Sequence, residues 1–172
     1  KMIKDGASII DIGGESTRPG SKTINQNIEW MRLKNVLKTF KKQHKKIALS
    51  IDTRKSDIML KGIKYGVDLI NDVSGFNFDK EALSKIRKYK IAKVLHHMQG
   101  TPNTMQLKPK YENVLLDIYD FFESNIKNDF EDKKVILDPG IGFGKTLKHN
   151  LILISKISLF HSLGFPIMIG TS

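Results

Sequence analysis

With 172 residues, 40% of them hydrophobic and 27% charged, the chain suits one globular domain with a real core, and no low-complexity tract or composition shift divides it. It has no cysteine, which excludes disulfide staples and thiolate metal sites, and no apolar run reaches the ~18–20 residues of a membrane span. The net charge of +11 raises the question of nucleic acid, but only four of the 29 basic residues are Arg (Arg18, Arg32, Arg54, Arg87). Base and phosphate readers favour the bidentate Arg fork. The lysines, such as Lys34, Lys38, Lys41, Lys42, Lys45 and Lys46, fall mostly on polar helix faces, as a solvated surface does. With no signal-peptide pattern, the expectation is a cytoplasmic enzyme acting on small molecules, with no nucleic-acid or membrane partner.

The chain opens on residues 1–6, which resemble the tail of a helix. Short apolar runs then alternate with longer amphipathic ones. Strands are predicted over 9–14, 47–52, 69–74, 92–98, 135–139 and 166–172, and helices over 27–43, 55–65, 80–90, 111–130 and 147–163. The strand runs are almost continuously apolar, as in a parallel sheet buried on both faces. Ile28, Met31, Leu33, Val36, Leu37 and Phe40 recur at helical spacing, and Trp30, Met31, Phe121 and Phe122 are expected in the core. Thr53 stands where a cap is expected, and Gly66 and Gly164 where a left-handed residue ends a helix. Repeated βα units point to an α/β fold with a parallel sheet, either a (β/α)8 barrel or a doubly wound sheet. The longest connections, 15–26 and 99–110, are expected to be functional. Six strands leave a barrel two short, so an internal fragment is expected.

Polar residues stand where the apolar strands end: Glu15–Arg18, Asp52, Asn71 and Asp72, His96 and His97, Asp138, and Ser172. In parallel α/β folds those ends converge on the active site. Asp52 shares a face with Ser50 and Ala48, while Leu49 and Ile51 point to the helices; Asn71 and Asp138 fit the same inward parity. Carboxylates in such a place need hydrogen-bonding partners. A 2-aminopyrimidinone presents two parallel N–H donors to one carboxylate, so the set suits a polar, flat heterocycle.

Other motifs fail. Gly140-Ile141-Gly142-Phe143-Gly144-Lys145-Thr146 looks like a P-loop, but Pro139 stands where the first glycine is required. His96 and His97 are adjacent in a strand and point to opposite faces, so they do not chelate together.

Five spaced motifs together resemble the dihydropteroate synthase family. They are Ile10-Asp11-Ile12-Gly13-Gly14-Glu15-Ser16-Thr17-Arg18-Pro19-Gly20, Ser50-Ile51-Asp52-Thr53, Ile70-Asn71-Asp72-Val73-Ser74-Gly75, His97-Met98-Gln99-Gly100-Thr101-Pro102 and Leu137-Asp138-Pro139-Gly140-Ile141-Gly142-Phe143-Gly144-Lys145. The resemblance implies a TIM barrel that condenses 6-hydroxymethyl-7,8-dihydropterin pyrophosphate with 4-aminobenzoate, with Mg²⁺ assistance and a dissociative mechanism. It implies a pterin pocket of Asp52, Asn71, Val73, Asp138, Gly142 and Phe143, with catalytic roles for Asp52, Thr17 and Arg18. Thr17 and Arg18 match the family's mobile loop over aminobenzoate and pyrophosphate, and a homodimer is implied for the full-length protein.

The chain departs from the family at His96, where an apolar residue, often Met, is usual; a pocket-facing His96 would alter the pterin site. The family's first strand and its Mg²⁺-linked Asn would precede Lys1, so no metal ligand is expected within this chain. The family's Arg-Lys pair would follow Ser172, and a late Arg and His for pyrophosphate are also outside it. The chain alone is therefore expected to be inactive and poorly stable. The alternatives are a pterin-binding methyltransferase domain, which would not need the Glu15–Gly20 loop, and a non-catalytic, Lys-rich nucleic-acid-binding paralogue.

Overall fold

The computed structural model describes residues 1–130 and 134–171. Its frame is one parallel sheet of five strands: β1 (Ile9–Gly13), β2 (Ala48–Asp52), β3 (Leu69–Asp72), β4 (Ala92–His96) and β5 (Val135–Asp138). Helices α1 (Gln26–Gln43), α2 (Ser56–Lys64), α3 (Ala82–Ile86) and α4 (Val114–Asp129) cross between successive strands, and α5 (Leu147–Ser155) follows β5. The spatial order is the chain order, with no reversal. Right-handed crossovers in an unreversed order place every helix on the same side of the sheet. That is how a (β/α)8 barrel is wound, incomplete in this chain, and it removes the doubly wound alternative.

Alternate side chains separate the two faces. Leu49, Ile51, Ile70, Leu95 and Leu137 point outward and are buried against Leu33, Leu37, Ile58, Met59, Ile86, Ile118, Phe122 and Leu153 of the helices. Burying such a side chain contributes about 1.5–3 kcal/mol, so this dry outer layer holds the sheet in place. The inner face differs from the prediction of strands buried on both sides. Ile9 is 47% exposed and Asp11 is exposed, because the inner face borders an open cavity.

Several predicted elements are corrected. Over 166–172 there is an isolated parallel bridge, Leu137 with Ile167, rather than a strand. Leu137 N–H donates to Pro166 O at 2.9 Å and Met168 N–H to Leu137 O at 2.8 Å. Pro166 has no N–H to extend that ladder, and Ser172 lies outside the described residues. The helix predicted over 80–90 is Ala82–Ile86 followed by a 3-10 turn, Arg87–Tyr89, that ends at left-handed Lys90. The helix predicted over 147–163 changes at Lys156, whose N–H is shared between Ile152 O and Leu153 O, and continues as the 3-10 segment Ile157–Leu163. Residues 1–6 form a helical turn, Asp5 N–H to Lys1 O at 3.1 Å.

Met31 is 76% exposed, so α1 buries Leu33 and Leu37 and leaves Met31, Ile28 and Val36 outside. Trp30 packs edge-on to Tyr65 and Phe122 edge-on to Phe160, as core aromatics do. Gly66 and Gly164 are left-handed at φ 84° and 80°. Thr53 does not cap α2; the Ser56 N–H goes to Asp79 Oδ2 at 2.9 Å, from the loop after β3. Asn25, Asn113 and Thr146 cap α1, α4 and α5 with their side chains. Among the described residues no helix is long and apolar enough to cross a membrane.

Candidate active site

The strand register lines up the polar ends. Gly13 stands opposite Asp52, Asp52 opposite Asn71, and His96 opposite Asp138. Below them, a cavity of about 380 Å³ opens on the inner face between β1–β5 and residues 166–168, with Asp11, Ser50, Asn71, Val94 and Ile136 in its wall. Asp52, His96 and Asp138 share the inward parity of Ser50, Val94 and Ile136. Asp52 Oδ1, Asn71 Oδ1 and Ser50 Oγ are buried with no hydrogen-bond partner among the described residues. A buried acceptor without a donor costs about 1–3 kcal/mol, and these three belong to two residues of the cavity wall, Ser50 and Asn71, and to Asp52 beside them.

Burial, reinforced by the charges of Asp11, Asp72 and Glu29 and opposed by Arg54, pushes the Asp52 carboxyl up to about 8. Burial pushes Asp138 to about 6, against the Gly140 N–H on its Oδ1 (2.8 Å) and the charge of Lys145. Asp72 points to the outer side, where Oδ1 accepts from Ser74 N–H and Oγ–H; burial raises it to about 6 despite those bonds.

The two histidines separate as their parity requires. His96 donates from Nδ1 to Val73 O at 2.8 Å and meets Phe143 edge-on at 4.6 Å. A carbonyl only accepts, so Nδ1 carries the proton. His97 lies on the other side, edge-on to Phe121, with Nδ1 accepting from Lys145 Nζ at 3.0 Å. Burial first, then the Lys145 charge, lowers both imidazoles to about 3, so both are neutral near pH 7. Lys145 Nζ also donates to His97 O at 3.2 Å and Phe143 O at 2.9 Å, and burial lowers it to about 7 against the pull of Asp138.

These contacts place Phe143 and Gly142. Gly140 has φ 69°, and a Cβ there would lie 2.0 Å from His97 O, so only glycine lets the β5–α5 loop fold this close to β4. Tyr111 OH donates to Gly144 O at 2.8 Å and Gln106 Nε2 to Gly142 O at 2.5 Å, tying the β4–α4 loop to the same turn. Asp52, Asn71, His96, Asp138, Val73 and Phe143 thus come together at one end of the sheet.

Thr17 and Arg18 lie in the β1–α1 loop. Gly20 N–H donates to Pro102 O at 3.0 Å, so this loop reaches across to the β4–α4 loop. Thr17 is half-buried, while Arg18 is exposed. The loop's stems are held by a buried ionic cluster. Glu15 accepts from Arg54, Lys55 Nζ and Ile24 N–H, while Glu29 accepts from Thr53 Oγ–H and Lys55 Nζ at 2.5 Å each. Burial alone would raise Glu15, but the Arg54, Lys55 and Ile24 donors outweigh it and hold its carboxyl low.

The sequence argument missed Asp11, Glu29, Arg54, Lys55 and Lys145. Parity was the available signal for Asp11, which shares the inward set with Gly13. No local signal marks Glu29, a first-turn helix residue that is fully buried. The described residues contain no group of three or more His, Asp or Glu side chains able to hold a metal ion.

The geometry has close counterparts. The dihydropteroate synthase of Escherichia coli (strain K12) is 36% identical over 175 residues, 99% of this chain and 61% of its own length. That of Clostridium beijerinckii is 39% identical, covering 100% of this chain and 62% of its own. A Yersinia pestis dihydropteroate synthase with a sulfonamide drug complex has TM-score 0.94 at 36% identity, covering 99% of this chain and 63% of that one. The Xanthomonas albilineans enzyme with 4-aminobenzoic acid has TM-score 0.91 at 30% identity, covering 99% and 61%. The chain spans about three-fifths of the length of the curated relatives it matches. Residues 1–172 match the family described as pterin binding enzyme in full, and the chain belongs to that family.

Proposed function

We propose that this chain is the pterin-holding part of a dihydropteroate synthase in folate biosynthesis, joining 6-hydroxymethyl-7,8-dihydropterin pyrophosphate to 4-aminobenzoate. The observation that carries this reading is the row of inward acceptors, Asp52 and Asn71 with buried, unpartnered oxygens and Asp138 beyond them, over an open cavity. A pterin's amino group and ring N–H supply the donors these atoms lack. Val73, His96, Gly142 and Phe143 form the surround, with the Phe143 ring against His96 and its main-chain carbonyl held by Lys145 Nζ.

In this reading the C–O bond to pyrophosphate breaks first, its electron pair leaving with pyrophosphate. The aromatic amine then attacks the methylene cation and loses a proton. Ionised Asp52 beside the ring favours the developing positive charge. Thr17 and Arg18 act on the aminobenzoate and pyrophosphate, and the loop that carries them excludes water from the cation. Mg²⁺ belongs to the proposal for the whole enzyme, yet the described residues offer it no ligand set. In this reading the chain's own side chains bind, orient and shield.

By itself the 172-residue chain binds pterin without turning it over. A single domain, a homodimer of the whole protein and a cytoplasmic location are parts of the same proposal. Exposed Leu147, Leu151 and Ile154 along α5 offer an apolar surface for the dimer, which sedimentation of the longer protein tests. Isothermal calorimetry with 6-hydroxymethyl-7,8-dihydropterin tests the site. Saturable binding that Asn71→Ala weakens supports it; no binding to the folded chain overturns it.

A further inference from the structure

Residues 140–144, between β5 and α5, form neither helix nor strand, yet three successive carbonyls of this turn each receive a side-chain donor. Gln106 Nε2 donates to Gly142 O at 2.5 Å, Lys145 Nζ to Phe143 O at 2.9 Å and Tyr111 OH to Gly144 O at 2.8 Å. Gln106 and Tyr111 reach in from the β4–α4 loop. A Cβ at Gly144 would lie 2.5 Å from Gln99 O, so the turn is pressed against that loop.

Lys145 differs from the other two donors. It is 3% exposed, and its Nζ also donates to His97 Nδ1 at 3.0 Å and to His97 O at 3.2 Å. Three acceptors round one nitrogen use all three N–H groups of an ammonium, and each of the three is uncharged. Burying a cation among neutral partners is costly, and an apolar side chain would fill the same space without that cost. What the ammonium supplies is direction. It ties the Phe143 main chain to the end of β4, and the Phe143 ring lies edge-on to His96 with centroids 4.6 Å apart. His96 is itself fixed through Nδ1 on Val73 O at 2.8 Å and stands opposite Asp138 in the strand register.

We propose that Lys145, with Gln106 and Tyr111 beside it, is a positioning residue of the pterin site: it ties the 142–144 turn to the end of β4 and so sets the Phe143 ring as a wall of the pocket. This deepens the pterin reading and rests on it. Lys145 acts through Phe143 and needs no contact with the ligand.

A double-mutant cycle tests this. Dissociation constants for 6-hydroxymethyl-7,8-dihydropterin are measured at one pH for the unaltered chain, Phe143→Ala, Lys145→Met and the double variant, with circular dichroism checking that each is folded. Each single change is expected to weaken binding about tenfold, and the double variant about tenfold as well, instead of the roughly hundredfold of independent effects. A general loosening of the fold would weaken binding equally with and without the Phe143 ring. Such additive losses, or an unchanged Kd in either single variant, overturn the inference and leave the pterin site standing. Should Lys145→Met not fold, Tyr111→Phe removes a neighbouring hold on the same turn. Its loss, about threefold, is expected to vanish in the Phe143→Ala background, and a loss that persists there, or no loss at all, overturns the inference. If the unaltered folded chain binds no pterin, the pterin reading itself fails and takes this inference with it.

Discussion

Glu15 and Arg54 form an ion pair with 5% side-chain exposure on each side, joining the start of the β1–α1 loop to the residue two places after Asp52. Arg54 also donates to Thr23 Oγ1 at 3.3 Å, and Glu15 accepts from Ile24 N–H at 3.0 Å, so one buried pair holds both stems of the loop that carries Thr17 and Arg18. Removing one partner of such a pair leaves an uncompensated charge. Glu15→Ala should lower the free energy of unfolding by about 3–5 kcal/mol, read from urea denaturation. Tryptic cleavage after Lys22 should also quicken under native conditions, and an unchanged cleavage rate would remove Glu15 from that clasping role.

Asp138 has one oxygen committed to Gly140 N–H and faces the cavity side of β5. Asp138→Asn places a donor where an acceptor meets the pterin. The expected loss is about 2 kcal/mol in pterin binding, roughly 30-fold in Kd. Calorimetry giving the unaltered Kd would remove Asp138 from the pterin site.

Asp52, raised to about 8 by burial and by its acidic neighbours, is mostly protonated in the empty cavity at pH 7. An N–H donor pair binds the ionised carboxylate, so pterin binding must displace that proton. Affinity should therefore rise with pH towards about 8, and binding at pH 7 should release close to one proton. Calorimetry in buffers of differing ionisation enthalpy measures this release, and Asp52→Asn should abolish it.

Lys145 has an ordinary value of 10.5 in the unfolded chain and about 7 in the fold. Between those values the unfolded state holds a proton that the native state does not, so this group's contribution makes stability rise with pH from 7 to 10.5. Lys145→Met should remove that slope. The difference between the two proteins' melting temperatures, followed across this range, isolates the Lys145 contribution from that of Asp52. A constant difference would show that Lys145 stays charged.

Much of the fold is legible in the chain because strand and helix periods are local. Ile and Val runs ending in Asp52, Asn71, His96 and Asp138 mark both the strands and the end where chemistry gathers. The boundaries were less legible. Residues 166–172 are apolar enough for a strand, yet Pro166 has no N–H and only the Leu137–Ile167 bridge forms. Met31 has the spacing of a core residue, but the sheet lies under Leu33 and Leu37. Thr53 looks like a cap until Asp79, 26 residues on, arrives to accept the Ser56 N–H.

The sequence by itself determined the parallel α/β order, the inward parity of Asp52, Asn71 and Asp138, the opposite faces of His96 and His97, and the family that its motifs resemble. Those depend on alternation and spacing, which need no distant partner. Only the tertiary structure decided which atoms are left without one. Asn71 gives its NH2 to Asp11, 60 positions earlier, and its buried oxygen is left without a partner among the described residues. Glu15 meets Arg54 across 39 positions, and Lys145 meets His97 across 48. A hydrogen bond has a direction and a length, and residues so far apart acquire both only when the sheet sets their strands side by side.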